Sequence, residues 1–263
     1  MDYRAQQRRT AVIAETRLRG VIMSRYWNTN YYSQPSSAEL KKNAEQTKQK
    51  AKRKGIIYDP VMIEGRQICK SWWGLSWCNN LERYADYASR IERGRRYVRN
   101  GSVIDLQISK GKVTARVQGT RKAPYKIEIR ISPLSEEKCN RIMEQCGKKI
   151  ESLESLLAGN FPEDMKDVFF AEGSLFPTPA EISLNCSCPD WALMCKHVAA
   201  VLYGIGARFD RDPLLFFELR GLDFNRFIDV TLQSRIDEML EHVDNRTSRM
   251  MDDENLTSIF GVL

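Results

Sequence analysis

Three cysteines and one histidine lie within twelve residues of this chain, in the spacing Cys-x-Cys-x6-Cys-x-His. They are Cys186, Cys188, Cys195 and His197. Side chains two residues apart in extended backbone point to the same side, so the first two cysteines can contact one ion. Residues two apart on a helix point in nearly opposite directions, which places Cys195 before a helix and His197 in its first turn. Three thiolates and one imidazole fill a tetrahedral shell, so the spacing predicts a structural Zn2+ site.

The other cysteines and the second histidine show no comparable spacing. The chain has seven cysteines, an odd number, and its N-terminal residues lead into no apolar signal segment. This pattern favours a reducing compartment, where cysteines are metal ligands or buried apolar residues. Neither a disulfide nor buried thiols would explain a histidine two residues after a third cysteine, so metal binding is preferred for the motif. We expect Cys69, Cys78, Cys139 and Cys146 to be core thiols, and His242 to be a packed or half-exposed histidine.

Several classes of function are disfavoured by what the sequence lacks. No uninterrupted apolar run approaches the roughly 20 residues that span a bilayer, so we expect a cytoplasmic protein that does not enter membranes. The chain has two histidines and neither a Gly-x4-Gly-Lys loop nor a Gly-x-Gly-x-x-Gly fingerprint. A metal-dependent nuclease or hydrolase needs an open metal position or clustered carboxylates, and the spacing displays neither. We therefore expect no enzymatic activity.

Charge is distributed unevenly along the chain. Residues 1–131 contain 28 Lys and Arg against 11 Asp and Glu, whereas residues 132–263 contain 13 against 23. Such asymmetry favours a polyanionic partner for the first half, although a charge run is also typical of a solvated face. Two basic clusters are candidate phosphate contacts, one in an exposed helix or arm and one in a turn flanked by glycines. Their members are Lys48, Lys50, Lys52, Arg53 and Lys54 in the arm, and Arg93, Arg95, Arg96 and Arg99 in the turn.

Alternating β-branched residues at 103–108, 112–117 and 125–131 predict three strands joined by short turns. We expect an α+β fold: a three-stranded antiparallel meander covered by helices, followed by a small ββα zinc finger and C-terminal helices. The predicted division is a basic, partly disordered N-terminal arm at 1–62, an α+β domain at 63–175, a zinc finger at 176–221, and a C-terminal helix and tail at 222–263.

The residues around the metal ligands resemble the SWIM zinc finger, whose pattern is Cys-x-Cys-xn-Cys-x-His. The resemblance rests on Cys186-Ser187-Cys188-Pro189-Asp190-Trp191 and Cys195-Lys196-His197. It extends to bacterial SWIM zinc finger family proteins through Ser71-Trp72-Trp73-Gly74, the arginine-rich segment at 93–101 and Asp212-Pro213-Leu214. The resemblance implies a finger of two strands and a helix that binds DNA or protein. It also implies company with a helicase-like, chromatin-remodelling-type ATPase.

Two functions follow from these observations. The first is a zinc-binding SWIM-type protein that acts as a DNA-binding accessory factor, with DNA favoured over RNA, and works with a helicase-like ATPase. The second is a protein–protein interaction adaptor without direct nucleic-acid binding. In that case the acidic second half and the apolar face of a helix at 223–243 would dock the partner, and the basic half would be only a solvated surface.

Overall fold

A computed structural model describes residues 35–149, 163–170 and 175–244. The first part of the predicted arm, at 1–34, and the predicted tail after residue 244 lie outside the described residues. The side chain of His242 lies outside them as well. Among the helices within these ranges, none combines the length and the apolar character needed to cross a bilayer.

The central sheet has four antiparallel strands in the order β1-β2-β3-β4. The strands are β1 (Val103–Ser109), β2 (Lys112–Val117), β3 (Tyr125–Ile131) and β4 (Ile182–Cys186). Alternate residues of β3 are buried, so Ile127, Ile129 and Ile131 face the core. The predicted meander corresponds to β1, β2 and β3, and the α+β class is confirmed.

The fourth strand corrects the prediction of a separate ββα finger. The metal-binding segment supplies one strand, β4, which pairs with β3 so that Cys186 lies opposite Ile127 and Leu184 lies opposite Ile129. A finger of this size buries little apolar surface alone, whereas an added edge strand shares the core of a larger sheet. The sheet therefore continues across the boundary that the sequence predicts between residues 175 and 176.

Helices cover one face of the sheet and surround a central helix, α6. They are α1 (Ser37–Arg53), α2 (Trp72–Glu82), α3 (Ala88–Arg99), α4 (Glu136–Lys149), α5 (Lys166–Phe170), α6 (Lys196–Arg211), α7 (Leu214–Arg220) and α8 (Phe224–Asp244). Twelve residues of α6 are buried, from His197 to Phe209. A helix buried on nearly all sides belongs to the core of the fold, so the helix that carries a metal ligand is also the main packing element.

Close packing against α6 explains why α2 has a tryptophan at position 77 and α3 has a glycine at position 94. Trp77 of α2 is fully buried and donates a hydrogen bond from its indole nitrogen to the carbonyl oxygen of Leu202, 3.0 Å away. A Cβ at Gly94 of α3 would lie only 2.5 Å from the Cβ of Ala199. Gly94 thus permits α3 and α6 to cross closely.

A buried arginine connects α7 to the entrance of β4. The Arg220 side chain is fully buried and donates hydrogen bonds to the Ser132 carbonyl (2.7 Å) and to Glu181 Oε1 (2.8 Å). Burial raises the pKa of Glu181, but hydrogen bonds from the Thr178 backbone and Arg220 outweigh it and hold that pKa below the usual range. The paired charges fix the position from which β4 runs toward the metal ligands.

Candidate metal centre

The four predicted ligands come together at the end of β4 and the start of α6. Cys186 is the last residue of β4, Cys195 caps the N-terminus of α6, and His197 lies in the first turn of α6. Cys188 lies two residues beyond Cys186, and one potential ligand atom from each of the four residues lies within 4.8 Å of all the others. The backbone of Ser187 is fixed to β3, since its N–H donates to the Lys126 carbonyl at 3.0 Å. The structure brings the four predicted residues together, with Cys195 before the helix and His197 in its first turn, while Cys188 lies in a bend after the strand.

The donor set fits a zinc ion in geometry. The Nδ1 atom of His197 lies 3.9 Å from the Cys186 sulfur and 4.0 Å from the Cys195 sulfur. Zinc–ligand bonds of usual length at a tetrahedral angle would separate such atoms by about 3.6 Å. For these two pairs only a few tenths of an ångström of adjustment would be needed, and all four ligand atoms lie within 4.8 Å of one another, so Cys186, Cys188, Cys195 and His197 can hold Zn2+ with no further protein ligand.

Hydrogen bonding lowers the pKa of one ligand, Cys195, and burial lowers the pKa of another, His197. A hydrogen bond from the Cys186 thiol, with further ones from His197 and the Val198 backbone, lowers the pKa of Cys195 to about 4. The same contact between the two sulfurs raises the pKa of Cys186. Burial lowers the pKa of His197 and keeps its imidazole neutral. A thiolate and a neutral imidazole are the forms that coordinate zinc.

The histidine ligand is enclosed by aromatic rings. His197 is 1% exposed, stacks on Tyr125 with ring centroids 4.1 Å apart, and meets the edge of Tyr97 at 5.5 Å. Its Nε2 atom is buried and finds no hydrogen-bond partner within the described part of the chain. These contacts leave Nδ1 as the nitrogen that faces the sulfurs. Four protein ligands around one ion leave no position for a substrate, so the arrangement can stabilise the fold.

Four of the five residues of the arm cluster lie on α1, which is docked on the core, and Lys54 directly follows this helix. Leu40, Ala44 and Ala51 form the buried face of this helix. Lys48 is half-buried and pairs with Glu45 at 2.7 Å. The other four predicted residues are exposed: Lys50, Lys52, Arg53 and Lys54. Predicted as an exposed helix or arm, the segment is a helix with one buried face.

The second basic cluster lies on a helix, which corrects the predicted turn. Arg93, Arg95, Arg96 and Arg99 all belong to α3. The sequence signal for a turn was Gly94, but this glycine serves the close contact with α6. Arg99 is exposed, whereas Arg93 and Arg96 are half-buried. Arg95 is partly exposed, and its guanidinium pairs with Glu82 and donates to the Tyr203 hydroxyl at 2.7 Å.

A chain of contacts connects the basic helix α1 to the metal centre through residues that the site prediction omits. The Thr47 hydroxyl donates to Gln118 Oε1 at 2.9 Å, and the Gln118 amide donates to the Arg121 carbonyl. The guanidinium of Arg121 lies over the Tyr125 ring at 5.5 Å, and Tyr125 stacks on His197. Gln118 gives no sequence signal for this role, because its burial depends on the docking of α1.

Comparison with known proteins supports the identification of the motif. The family model described as SWIM zinc finger matches residues 174–204, which include all four ligands. A protein of Mycobacterium tuberculosis (strain ATCC 25618 / H37Rv), named only "Uncharacterized protein Rv2102", is 42% identical over 156 residues. The match covers 59% of this chain and 56% of that relative. No solved structure matches the chain significantly. The chain carries a SWIM zinc finger, and its cofactor is zinc.

Proposed function

We propose that this protein is a zinc-stabilised DNA-binding accessory factor that works with a helicase-like ATPase. The observation that carries the proposal is the row of exposed cations on α1, a helix fixed to the core that the zinc ligands help to build. Lys50, Lys52, Arg53 and Lys54 are exposed together at its C-terminal end. Lysine and arginine side chains on a fixed helix can contact successive phosphates without ordering a flexible chain first.

Three further features support this role. Arg99 is exposed at the C-terminal end of α3, and the next residue, Asn100, donates a hydrogen bond to Ser37 at the start of α1. The loop after β2 adds Arg121 and Lys122, both exposed, beside Gln118 and Thr47. The 263 residues contain neither a Gly-x4-Gly-Lys loop nor a Gly-x-Gly-x-x-Gly fingerprint, so ATP-driven movement on DNA would need an ATPase outside them.

Fluorescence anisotropy with random-sequence duplex DNA at several salt concentrations tests direct binding. Replacing Lys50, Lys52, Arg53 and Lys54 with Gln should weaken binding to every sequence. The slope of log K against log salt should flatten by about 0.9 for each phosphate that the variant no longer neutralises. A charge-matched control replaces four exposed cations away from α1, namely Lys110, Lys138, Arg141 and Arg226. Equal slopes for the parent, the α1 variant and the control would contradict phosphate binding by α1.

Capture from lysate tests the partnership. The full chain, immobilised and treated with nuclease, should retain a helicase-like ATPase identified by mass spectrometry. Retention of that ATPase only in the absence of nuclease would show that DNA bridges the two proteins. Failure to retain any ATPase under both conditions would contradict the partnership but leave DNA binding unaffected.

One observation favours the alternative adaptor role. Helix α8 carries large apolar side chains that are about half exposed or more, at the spacing of one helix face. They are Leu232, Ile236, Met239 and Leu240. If the protein is an adaptor, replacing Leu232 and Met239 with Ser should abolish nuclease-resistant capture of a protein partner, while DNA affinity remains undetectable in the parent.

A further inference from the structure

The loop between the second and third zinc ligands holds two large apolar side chains out in solvent. Trp191 is 80% exposed and Leu193 is 69% exposed, whereas the alternating residues Ala192 and Met194 are buried. Trp191 is the exposed member of the tryptophans whose placement is described; Trp77 is buried, and Trp72 and Trp73 are partly buried. Exposing an indole to water is unfavourable. Ala192 and Met194 anchor the loop in the core while Trp191 stays in solvent, and this arrangement indicates a binding surface.

The loop is fixed at several points. Arg90 contacts both carboxylate oxygens of Asp190, at 3.0 and 3.2 Å, and the same carboxylate accepts a hydrogen bond from the Ala192 N–H. The Leu193 N–H donates to Asp86 Oδ2 at 3.0 Å. The zinc ligands Cys188 and Cys195 lie at the two ends of the loop. The Trp191 ring is therefore presented by a scaffold that loses little conformational freedom on binding.

The surroundings of Trp191 combine an aromatic pair with positive charge. Tyr87, 42% exposed, meets the Trp191 ring edge-on with centroids 5.8 Å apart. The Arg90 guanidinium lies over the Tyr87 ring, 5.9 Å from its centroid. Arg93 follows Arg90 by one helical turn on the same side of α3, and Lys196 directly follows the ligand Cys195; both side chains are half-buried. Single-stranded nucleic acid is bound by exposed rings on which bases stack and by lysine or arginine side chains that pair with phosphates, and α3 and the first turn of α6 supply cations on the elements next to these rings.

We infer that Trp191, with Tyr87 at its edge, stacks an unpaired base of a single-stranded nucleic acid, while Arg93 and Lys196 contact its neighbouring phosphates. Bases within a duplex are stacked on one another and offer no free face to Trp191, so the site selects single strands. An apolar protein partner would use Trp191 and Leu193 but would not require the cations beside them. The inference rests on the proposed function and adds a ligand class to it.

The test measures binding of the full chain to a fluorescein-labelled oligothymidylate of about 12 nucleotides, a length within the usual site sizes. Trp191→Ala should weaken binding about tenfold, the usual effect of losing one stacked base. Trp191→Phe keeps a ring and should recover most of the affinity. Leu193→Ala, in the same loop and similarly exposed to solvent, is the matched control and should bind like the parent. Zinc content is measured for each variant.

A second probe separates loss of base stacking from loss of affinity caused by a damaged fold, because it is compared with oligothymidylate on the unaltered protein. An oligonucleotide of the same length with abasic sites keeps the phosphates but has no bases to stack. It should bind the unaltered chain about tenfold more weakly than oligothymidylate does, and Trp191→Ala should bind it as the parent does. Duplex affinity should not differ between the parent and Trp191→Ala.

Two results would overturn the inference in distinguishable ways. Equal affinity of the parent for abasic and thymidylate probes, with salt-dependent binding intact, would exclude base stacking and leave the proposed DNA binding in place. Such a result would assign the Trp191 surface to a protein partner. Absence of binding to every nucleic acid by the zinc-loaded parent would overturn both the inference and the proposed function.

Discussion

The imidazole of His197 stacks on the phenol ring of Tyr125 with centroids 4.1 Å apart. Tyr125 is the first residue of β3, and His197 lies in the first turn of α6, so one ring contact joins the sheet to the central helix at a zinc ligand. Zinc completes this junction because it also binds the end of β4 and the N-terminus of α6. The metal centre is thus part of the main core, and loss of zinc should affect the entire described fold.

Replacing Tyr125 should weaken zinc retention without removing a ligand. Tyr125→Ala removes the ring that holds His197 in place, so the imidazole gains freedom that it must lose on binding zinc. Outer-shell changes of this kind typically cost about 10-fold or more in metal affinity. Competition with a chromogenic chelator measures the change. Tyr125→Phe keeps the stacked ring and should retain zinc nearly as the parent does; equal zinc affinity for Tyr125→Ala would contradict a supporting role for the stack.

Removing zinc should unfold the protein cooperatively. Structural zinc contributes on the order of 10 kcal/mol to the folding free energy of small modules. The free energy of unfolding of a whole domain is only about 5–15 kcal/mol, so loss of zinc can unfold it. Cys195→Ala removes the zinc ligand that lies at the N-terminus of α6. Elemental analysis should find one zinc per chain in the parent and none in the variant, and circular dichroism should show loss of helix beyond α6. A chelator-treated parent with an unchanged melting curve would contradict this view of the core.

Replacing His197 with Cys should preserve the metal but not the packing. Four thiolates also hold zinc in a closed tetrahedral shell, so zinc content should remain one per chain. The shorter side chain leaves space between Tyr97 and Tyr125, and large-to-small core changes typically cost about 2–5 kcal/mol. Chemical denaturation should show this loss. If zinc is structural, nucleic-acid affinity of the folded variant should match the parent, and a zinc-dependent hydrolysis lost in this variant would contradict that role.

The metal ligands could be predicted from the sequence because their chemistry is encoded in local spacing. Cys186 ends a strand, Cys188 follows it by two residues and Cys195 precedes a helix, so twelve residues contain the whole donor set. The strands β1 to β3 could be predicted for a similar reason, since alternation and short turns are local signals. None of these inferences requires knowledge of what else packs nearby.

The features that could not be predicted depend on contacts between distant segments. Pairing of β4 with β3 joins residues that are 51 to 59 positions apart, and no local pattern indicates which strand edge β4 will use. Gly94 suggested a turn because glycine is weak in helices, but its role is set by Ala199 of α6. Arg95 has the same sequence surroundings as the other arginines of α3, and only the folded chain brings Glu82 and Tyr203 to it.

Gly94→Ala should destabilise the protein, although alanine is the better helix former by about 1 kcal/mol. The added Cβ would lie 2.5 Å from the Ala199 Cβ and 3.1 Å from its carbonyl carbon, so the two helices must move apart. Overpacking of this kind costs about 1–3 kcal/mol, and a backbone contact cannot be relieved by a rotamer change. Urea denaturation measures the difference. Ser89→Ala, at an exposed position of the same helix, is the control and should change stability by less than about 0.5 kcal/mol.

Two arginines of α3 should respond differently to the same substitution. Arg95 forms an ion pair with Glu82 and a hydrogen bond to Tyr203. Arg95→Gln should therefore lower the free energy of unfolding, but only by about 1 kcal/mol, because water screens a partly exposed ion pair. Arg99 is exposed at the end of the helix, so Arg99→Gln should change stability little.

If α3 contributes to the proposed DNA surface, Arg99→Gln should flatten the salt slope by about 0.9, whereas Arg95→Gln should leave the slope unchanged. Anisotropy titrations and urea denaturation of both variants give the two readouts independently. A flattened slope for Arg95→Gln with unchanged stability would show that Arg95 leaves its internal partners to contact phosphate. An unchanged slope for both variants would restrict the DNA surface to α1 and the loop at Arg121.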